Sequence, residues 1–294
     1  MVKLPQMLKN SILLISKITE KYGTVRRARG CFLYTQKNIR LTDMYQAGGR
    51  AILGWGSGSA TTVFKNVLER KITGAFDTDF SPKADNEKSR LSKAVSELLG
   101  EIVTEENRGR VVFVFNSVGE CKNSVEFVKE KFGIDAKKYI PWNQDGTDWR
   151  NEKAVIVEPT FAWDEDIFIL ALEENFFAEL EKNESLYEKI ISLVYRIPAP
   201  LCAAFTRAIY DLIKELQCRE EKNWFIYDTV LTKYWVRKGP YLYPKVPLEK
   251  YQDFVLHCLE NCLVISPDYD VPSIVPFGAD FGNFTKLKKN PFEF

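Results

Sequence analysis

The run Arg110-Val111-Val112-Phe113-Val114-Phe115-Asn116-Ser117-Val118-Gly119-Glu120-Cys121 constrains the fold more than any other stretch of this chain. The unbroken apolar segment from Val111 to Phe115 reads as a central strand covered on both faces, because a strand with one wet face would alternate. The polar turn after it opens a helix. Ser117 and Gly119 therefore present a hydroxyl and free amides at a positive helix end, where phosphates bind. The structural alternative is a plain strand-to-helix turn capped by Ser117.

Helical faces flank that strand. Leu91, Val95, Leu98, Leu99 and Ile102 trace one before it, and Val125, Val128 and Phe132 continue the pattern after it, with Gly133 as the stop. Ala154-Val155-Ile156-Val157 is a second buried strand, ending at Glu158-Pro159. Alternation of strand and helix predicts an α/β protein with a parallel sheet. Trp163-Asp164-Glu165-Asp166 predicts the start of a long helix, since carboxylates favour the positive helix end. Carboxylates packed consecutively diverge on a helix, which argues against a metal there. Another helix runs from Pro198 and Pro200 to about Gln217, with Leu201, Phe205, Ile209, Leu212, Ile213 and Leu216 facing inward.

Toward the chain ends the texture changes. Leu4, Leu8, Ile12, Ile15 and Ile18 outline an amphipathic helix, and Cys31–Tyr34 and Ile39–Thr42 flank Gln36-Lys37-Asn38 as a small hairpin. Aromatic runs Trp224–Tyr227, Val230–Val236 and Tyr241–Tyr243 read as strands of a smaller α+β unit. Pro247 starts a helix through Cys258, and Leu263–Ile265 follows as a short strand.

Composition removes several classes of function. With 294 residues and 45% hydrophobic content the chain can bury the cores of two units. Forty-one Lys plus Arg balance 40 Asp plus Glu, leaving +1, so the net charge gives no footprint for nucleic acid or an anionic membrane. Lys9, Lys17, Glu20 and Lys21 interrupt the first apolar positions before a signal or membrane span is reached, which leads to a cytoplasmic expectation. The six cysteines read as reduced thiols. His257 is the single histidine, so no nucleophile–histidine machinery exists elsewhere. With Cys258 and Cys262 it could in principle face a metal, but core packing is the simpler account. Asp145 and Asp148 lack the alternating oxygens of a calcium loop. The glycine-rich passage Ala47 to Ser59 fails the dinucleotide fingerprint, with Ser59 at the third glycine position, and no lysine completes a Walker loop. It reads as a tight loop with a Ser helix cap.

Four segments, in order, resemble the class III aminotransferases, pyridoxal-phosphate enzymes of fold type I. Gly30-Cys31-Phe32-Leu33-Tyr34 through Arg40-Leu41-Thr42-Asp43-Met44 to Gly48-Gly49 and Leu53-Gly54 is the first, with Trp55 where the family has histidine. Asn116-Ser117-Val118-Gly119-Glu120-Cys121 is similar to the turn that holds the cofactor phosphate, with Val118 replacing Gly and Cys121 replacing Ala. Ala154 to Pro159 resembles a strand lining the cofactor pocket. Tyr251 to Pro267, with Pro200-Leu201-Cys202-Ala203-Ala204, resembles the closing domain and the helix before it.

The resemblance implies a three-layer, largely parallel sheet of the fold type I kind, abbreviated, with a smaller α+β domain from the two chain ends. It divides the chain as 1–58, an N-terminal segment joining the small domain and dimer interface; 59–220, an abbreviated large domain; and 221–294, the C-terminal small domain. The departures shape the functional expectation. A pyridoxal enzyme needs a lysine amine and an acid at the pyridinium nitrogen. Neither is placed by motif, and the region between Lys131 and Lys153 is too short for the ring-stacking part of the domain. Val118 also restricts approach to the phosphate turn. The leading expectation is an aminotransferase-like homodimer without transamination, holding a small anion near Ser117, Gly119 and Glu158. The alternatives are an active pyridoxal-phosphate transferase, of aminotransferase or aminomutase type, using an unrecognised lysine, and an oligomeric scaffold without a ligand. Pyridoxal phosphate is the cofactor if the site survives, and neither nucleic acid nor membrane is an expected partner.

Overall fold

A computed structural model of the chain describes residues 6–74, 77–82, 89–104, 109–143 and 146–294. Leu4, Asp145 and the side chain of Leu8 lie outside them. The chain divides into two compact units, Met1–Ser57 with Cys218–Phe294, and Gly58–Gln217.

The first unit begins with α1 (Gln6–Tyr22), which buries Leu14, Ile18 and Tyr22 at a spacing of four residues, one stripe of a helix. Gly23, at φ 78°, takes the left-handed conformation that ends it. Strands β1 (Val25–Arg29), β2 (Phe32–Thr35) and β3 (Arg40–Asp43) then run antiparallel. The predicted hairpin is β2 with β3, turning at Asn38, whose φ of 58° suits an asparagine.

The second unit starts with α2 (Ala60–Leu68) and α3 (Arg90–Leu98). Four strands follow: β4 (Arg110–Phe115), β5 (Lys137–Lys138), β6 (Ala154–Val157) and β7 (Phe168–Glu173), paired in the order β4-β7-β6-β5. Helix α4 (Val118–Phe132) connects β4 to β5 and ends at Gly133, φ 68°. Helices α5 (Glu174–Glu181), α6 (Glu184–Ile191) and α7 (Ala199–Cys218) complete the unit. Phe113, Phe115, Ala154, Leu170 and Leu172 form one sheet face, packed against Cys121 and Val128 of α4, Phe176, Phe177 and Leu180 of α5, and Leu186 and Ile190 of α6.

Two expectations are corrected here. The acidic segment from Trp163 does not open a long helix: residues 168–173 are a strand, paired along its whole length with β4 and over Ile169–Leu172 with β6. Its Phe-Ile-Leu-Ala-Leu run is a short apolar stretch that periodicity alone cannot assign, and the vacancy between two buried strands decides it. The sheet is consequently mixed. β5 and β6 pair in parallel, but β7 runs antiparallel to both neighbours. The second correction concerns Ser59, whose hydroxyl does not cap α2; its backbone N–H instead donates to Asp211 Oδ2 at 2.8 Å.

The chain then returns to the first unit. The strand-like residues Trp224–Phe225 and Val230–Leu231 are helical, as α8 (Lys222–Phe225) and α9 (Asp228–Leu231), and Ile226 and Tyr227 form the turn between them. Aromatic enrichment reports a half-buried surface rather than a backbone preference, and Trp224 and Tyr227 are buried all the same. Strands β8 (Trp235–Lys238) and β9 (Tyr241–Pro244) form a hairpin, extended after α10 (Leu248–Glu260) and β10 (Leu263–Val264) by β11 (Ser273–Ile274). α11 (Thr285–Lys289) lies near the C-terminus. β10 pairs in parallel with β3, so both chain ends supply strands to one sheet, β1-β2-β3-β10.

Candidate functional site

β4 delivers Ser117 to the start of α4. Its Oγ accepts the backbone N–H groups of Gly119 at 3.2 Å and Glu120 at 3.4 Å, a helix cap made by the residue itself. Val118 is half exposed and helical, so the backbone here asks for no glycine. What it adds is a branched side chain beside the amides at the helix start.

Glu158 leaves the end of β6, and its Oε1 lies 2.7 Å from Lys138 Nζ. Lys138 pairs with Ile156, so it shares a sheet face with Glu158, two residues further along the pleat. Burial, and then the Glu158 charge, push the Cys121 thiol up to about 11. β4 and β6 both run antiparallel to β7, so Ser117 and Gly119, after β4, and Glu158, after β6, leave the same edge of the sheet with β7 between them. Lys138 was missed by sequence reasoning because a two-residue strand carries no periodic signal.

The segment 158–167 after β6 contains no lysine. Aromatic contacts hold it: the Phe161 ring stacks on Trp163 at 6.3 Å and meets Phe205 edge-on at 5.9 Å, while Trp163 also contacts Phe64. Thr160 Oγ1 donates to the carbonyl of Ala208. Beside β4, the backbone N–H of Tyr195 donates to Val114 O at 2.7 Å. Burial raises the Tyr195 phenol, helped by its hydrogen bond to Glu165 and that carboxylate's charge. Asp164, Glu165 and Asp166 are exposed, and no metal-ligating cluster occurs among the described residues. His257 Nε2 is 2.8 Å from Asn290 O, Cys258 is buried, and the Cys262 thiol receives Lys286 Nζ at 3.2 Å.

In the first unit, Trp55 at the family's histidine position donates its indole N–H to Asp43 Oδ2 at 2.7 Å. Asp43 is buried, which raises its carboxyl above the usual range against three hydrogen bonds that lower it.

No family model matches the chain. A protein of Treponema pallidum (strain Nichols), described as an uncharacterized protein, is 22% identical over 296 residues, covering 89% of this chain and 91% of the relative. Solved structures agree more fully. An ornithine aminotransferase from Plasmodium yoelii superposes with a TM-score of 0.60 at 12% identity, over 95% of this chain and 97% of that one. The acetylornithine aminotransferase of Elizabethkingia anophelis gives 0.58 at 11% identity, over 97% and 99%. A PMP-bound aminotransferase from Vibrio fluvialis gives 0.62 at 11% identity, over 98% and 95%. No helix among the described residues is long and apolar enough to cross a membrane. The chain has the α/β fold of the fold type I aminotransferases.

Proposed function

We infer that this aminotransferase-like protein takes a small anion at the turn from Ser117 to Glu120 and does not carry out transamination. One observation carries the reading. The segment following β6 offers no lysine, and Lys138, on the adjoining strand, is already paired with Glu158. A phosphate would take over the Gly119 and Glu120 amides from Ser117 Oγ and accept the hydroxyl thus released, an exchange that suits the phosphate end of pyridoxal phosphate. Its reactive end requires an amine and an acid at the ring nitrogen, and the residues described do not fit that requirement. The protein is read as a cytoplasmic homodimer, an assembly that a single-chain mass in light scattering would rule out.

Calorimetry with inorganic phosphate and with pyridoxal phosphate tests the reading. Heat is expected with both, without a visible absorption band that borohydride removes. No heat with either ligand overturns it and leaves a scaffold.

The Lys138–Glu158 pair favours a second reading, since β5, β6 and β4 run in the same direction and so bring a lysine amine to the same sheet edge as the turn. In that case the chain is a pyridoxal-phosphate-dependent transferase, of aminotransferase or aminomutase type, that uses Lys138. Peptide mapping after cofactor incubation and borohydride treatment separates the two. A reduced adduct on Lys138, with measurable amino transfer, establishes the second reading and sinks the first.

A further inference from the structure

β1, β2 and β3 set arginines against aromatic rings in register. Arg27 lies opposite Tyr34, Arg29 opposite Phe32, and Tyr34 opposite Arg40. Facing residues share a side of the sheet, so these five project from one face, while Ala28, Leu33 and the buried Leu41 occupy the other. The Arg27 guanidinium sits 4.4 Å from the centre of the Tyr34 ring, and that of Arg40 sits 4.5 Å from Phe32. A guanidinium laid on a ring keeps its N–H edges for acceptors and its second face open. Arg40 also donates to Asn283 Oδ1 at 3.0 Å. All three arginines are exposed, and among the described residues no carboxylate forms an ion pair with any of them.

The spacing narrows the partner. Arg27 and Arg29 are about 7 Å apart along β1, and Arg27 and Arg40 about 10 Å apart across two strand gaps. Such an array matches an anion repeated along a flexible chain better than a single ion. The guanidinium fork pairs bidentately with phosphate, and a ring-backed guanidinium is a platform on which a base can stack. We propose that this face binds single-stranded nucleic acid, its phosphates on the edges of Arg27, Arg29 and Arg40 and its bases on the open faces of the ring-backed Arg27 and Arg40. The net charge of +1, which argued against such a partner, averages over the molecule and hides a local excess on one sheet face. The site lies in the first unit and is independent of the anion site at Ser117.

Fluorescence anisotropy of the full chain with labelled oligo(dT) tests the proposal. Binding is expected at low salt, with log K falling against log[salt] at a slope of about −2 for three phosphate contacts on a single strand. R27E/R29E is expected to weaken binding at least about tenfold, and the charge-matched K122E/K250E, at exposed positions off this face, to change it by less than about twofold. R27Q/R29Q repeats the test with neutral side chains should the reversal disturb the fold, which circular dichroism reports. The proposal is overturned by no binding at low salt, by equal binding in R27Q/R29Q and wild type, or by poly-glutamate competing as well as unlabelled oligo(dT).

Discussion

The indole N–H of Trp55 donates to Oδ2 of Asp43 at 2.7 Å, while Oδ1 takes the backbone N–H groups of Tyr45 at 3.0 Å and Gln46 at 2.8 Å. One buried carboxylate thus closes the glycine-rich loop at both ends. An asparagine in its place would keep the two backbone bonds but turn an amide N–H toward the indole N–H, leaving a buried donor unpaired. D43N is expected to cost about 1–3 kcal/mol in urea unfolding. In a W55F background the clash is gone, so the same change should cost less, by at least about 0.5 kcal/mol of coupling. Additive effects in the cycle would show that the bond does not organise the loop.

Arg110, buried on β4, presents the same problem with the opposite charge. Its guanidinium donates to Glu101, to the carbonyl of Glu152, and to those of Trp149 and Arg150 at 3.3 and 3.0 Å. It ties the start of β4 to the connection before β6. R110M leaves the Glu101 carboxylate and three carbonyls without their donor, and about 3–5 kcal/mol of stability is expected to go. R110K keeps the charge but not the fork, so it should recover only part of the loss in denaturant titration. A variant within about 0.5 kcal/mol of wild type would rule the anchor out.

The sequence was most informative where one local signal sufficed. β4, β6, the β2–β3 hairpin and α7 could be read from apolar runs, turn residues and helical periodicity. It misled where a neighbour decided. β7 is a short apolar run that follows an acidic segment read as a helix start, yet it lies between β4 and β6 because both leave hydrogen-bonding edges that only an extended segment fills. Trp224 is buried on a helix and Tyr227 in the turn after it, since aromatic rings fill a core from any backbone. At the candidate site the Ser117 cap was visible as a turn motif. The Lys138–Glu158 pair was not, because its two residues are 20 apart and meet only through the β5–β6 register.

The thiols make a prediction about pH. Burial pushes Cys31 and Cys121 up to about 11 and Cys202 up to about 12. In the unfolded chain a cysteine ionises near pH about 8.5. The unfolded state therefore releases these protons first as pH rises, and the stability present below about pH 8.5 is lost progressively up to about pH 11. C121A is expected to flatten the slope of unfolding free energy against pH in that window. Native protein should also react quickly with a thiol reagent at the exposed Cys218 and the partly exposed Cys262, while the four buried cysteines wait for unfolding. Rapid labelling of Cys121 in folded protein would contradict this packing.

Ser117 and Gly119 separate the demands of fold and ligand. S117A removes the oxygen that accepts the amides of Gly119 and Glu120, so it should lose about 0.5–2 kcal/mol as a missing helix cap. It should weaken phosphate binding too, and S117T should restore most of both. Gly119 behaves differently. A methyl group there would meet nothing closer than Ser117 Oγ at 3.5 Å, and the residue is already helical, so G119A should stabilise the protein by up to about 1 kcal/mol. If an anion rests on this turn, the same methyl group obstructs its approach to the amide, and calorimetry should show weaker phosphate binding in a more stable protein. Undiminished binding in both S117A and G119A would place any bound anion elsewhere, because a ligand seated here cannot be indifferent to both the hydroxyl and the added carbon.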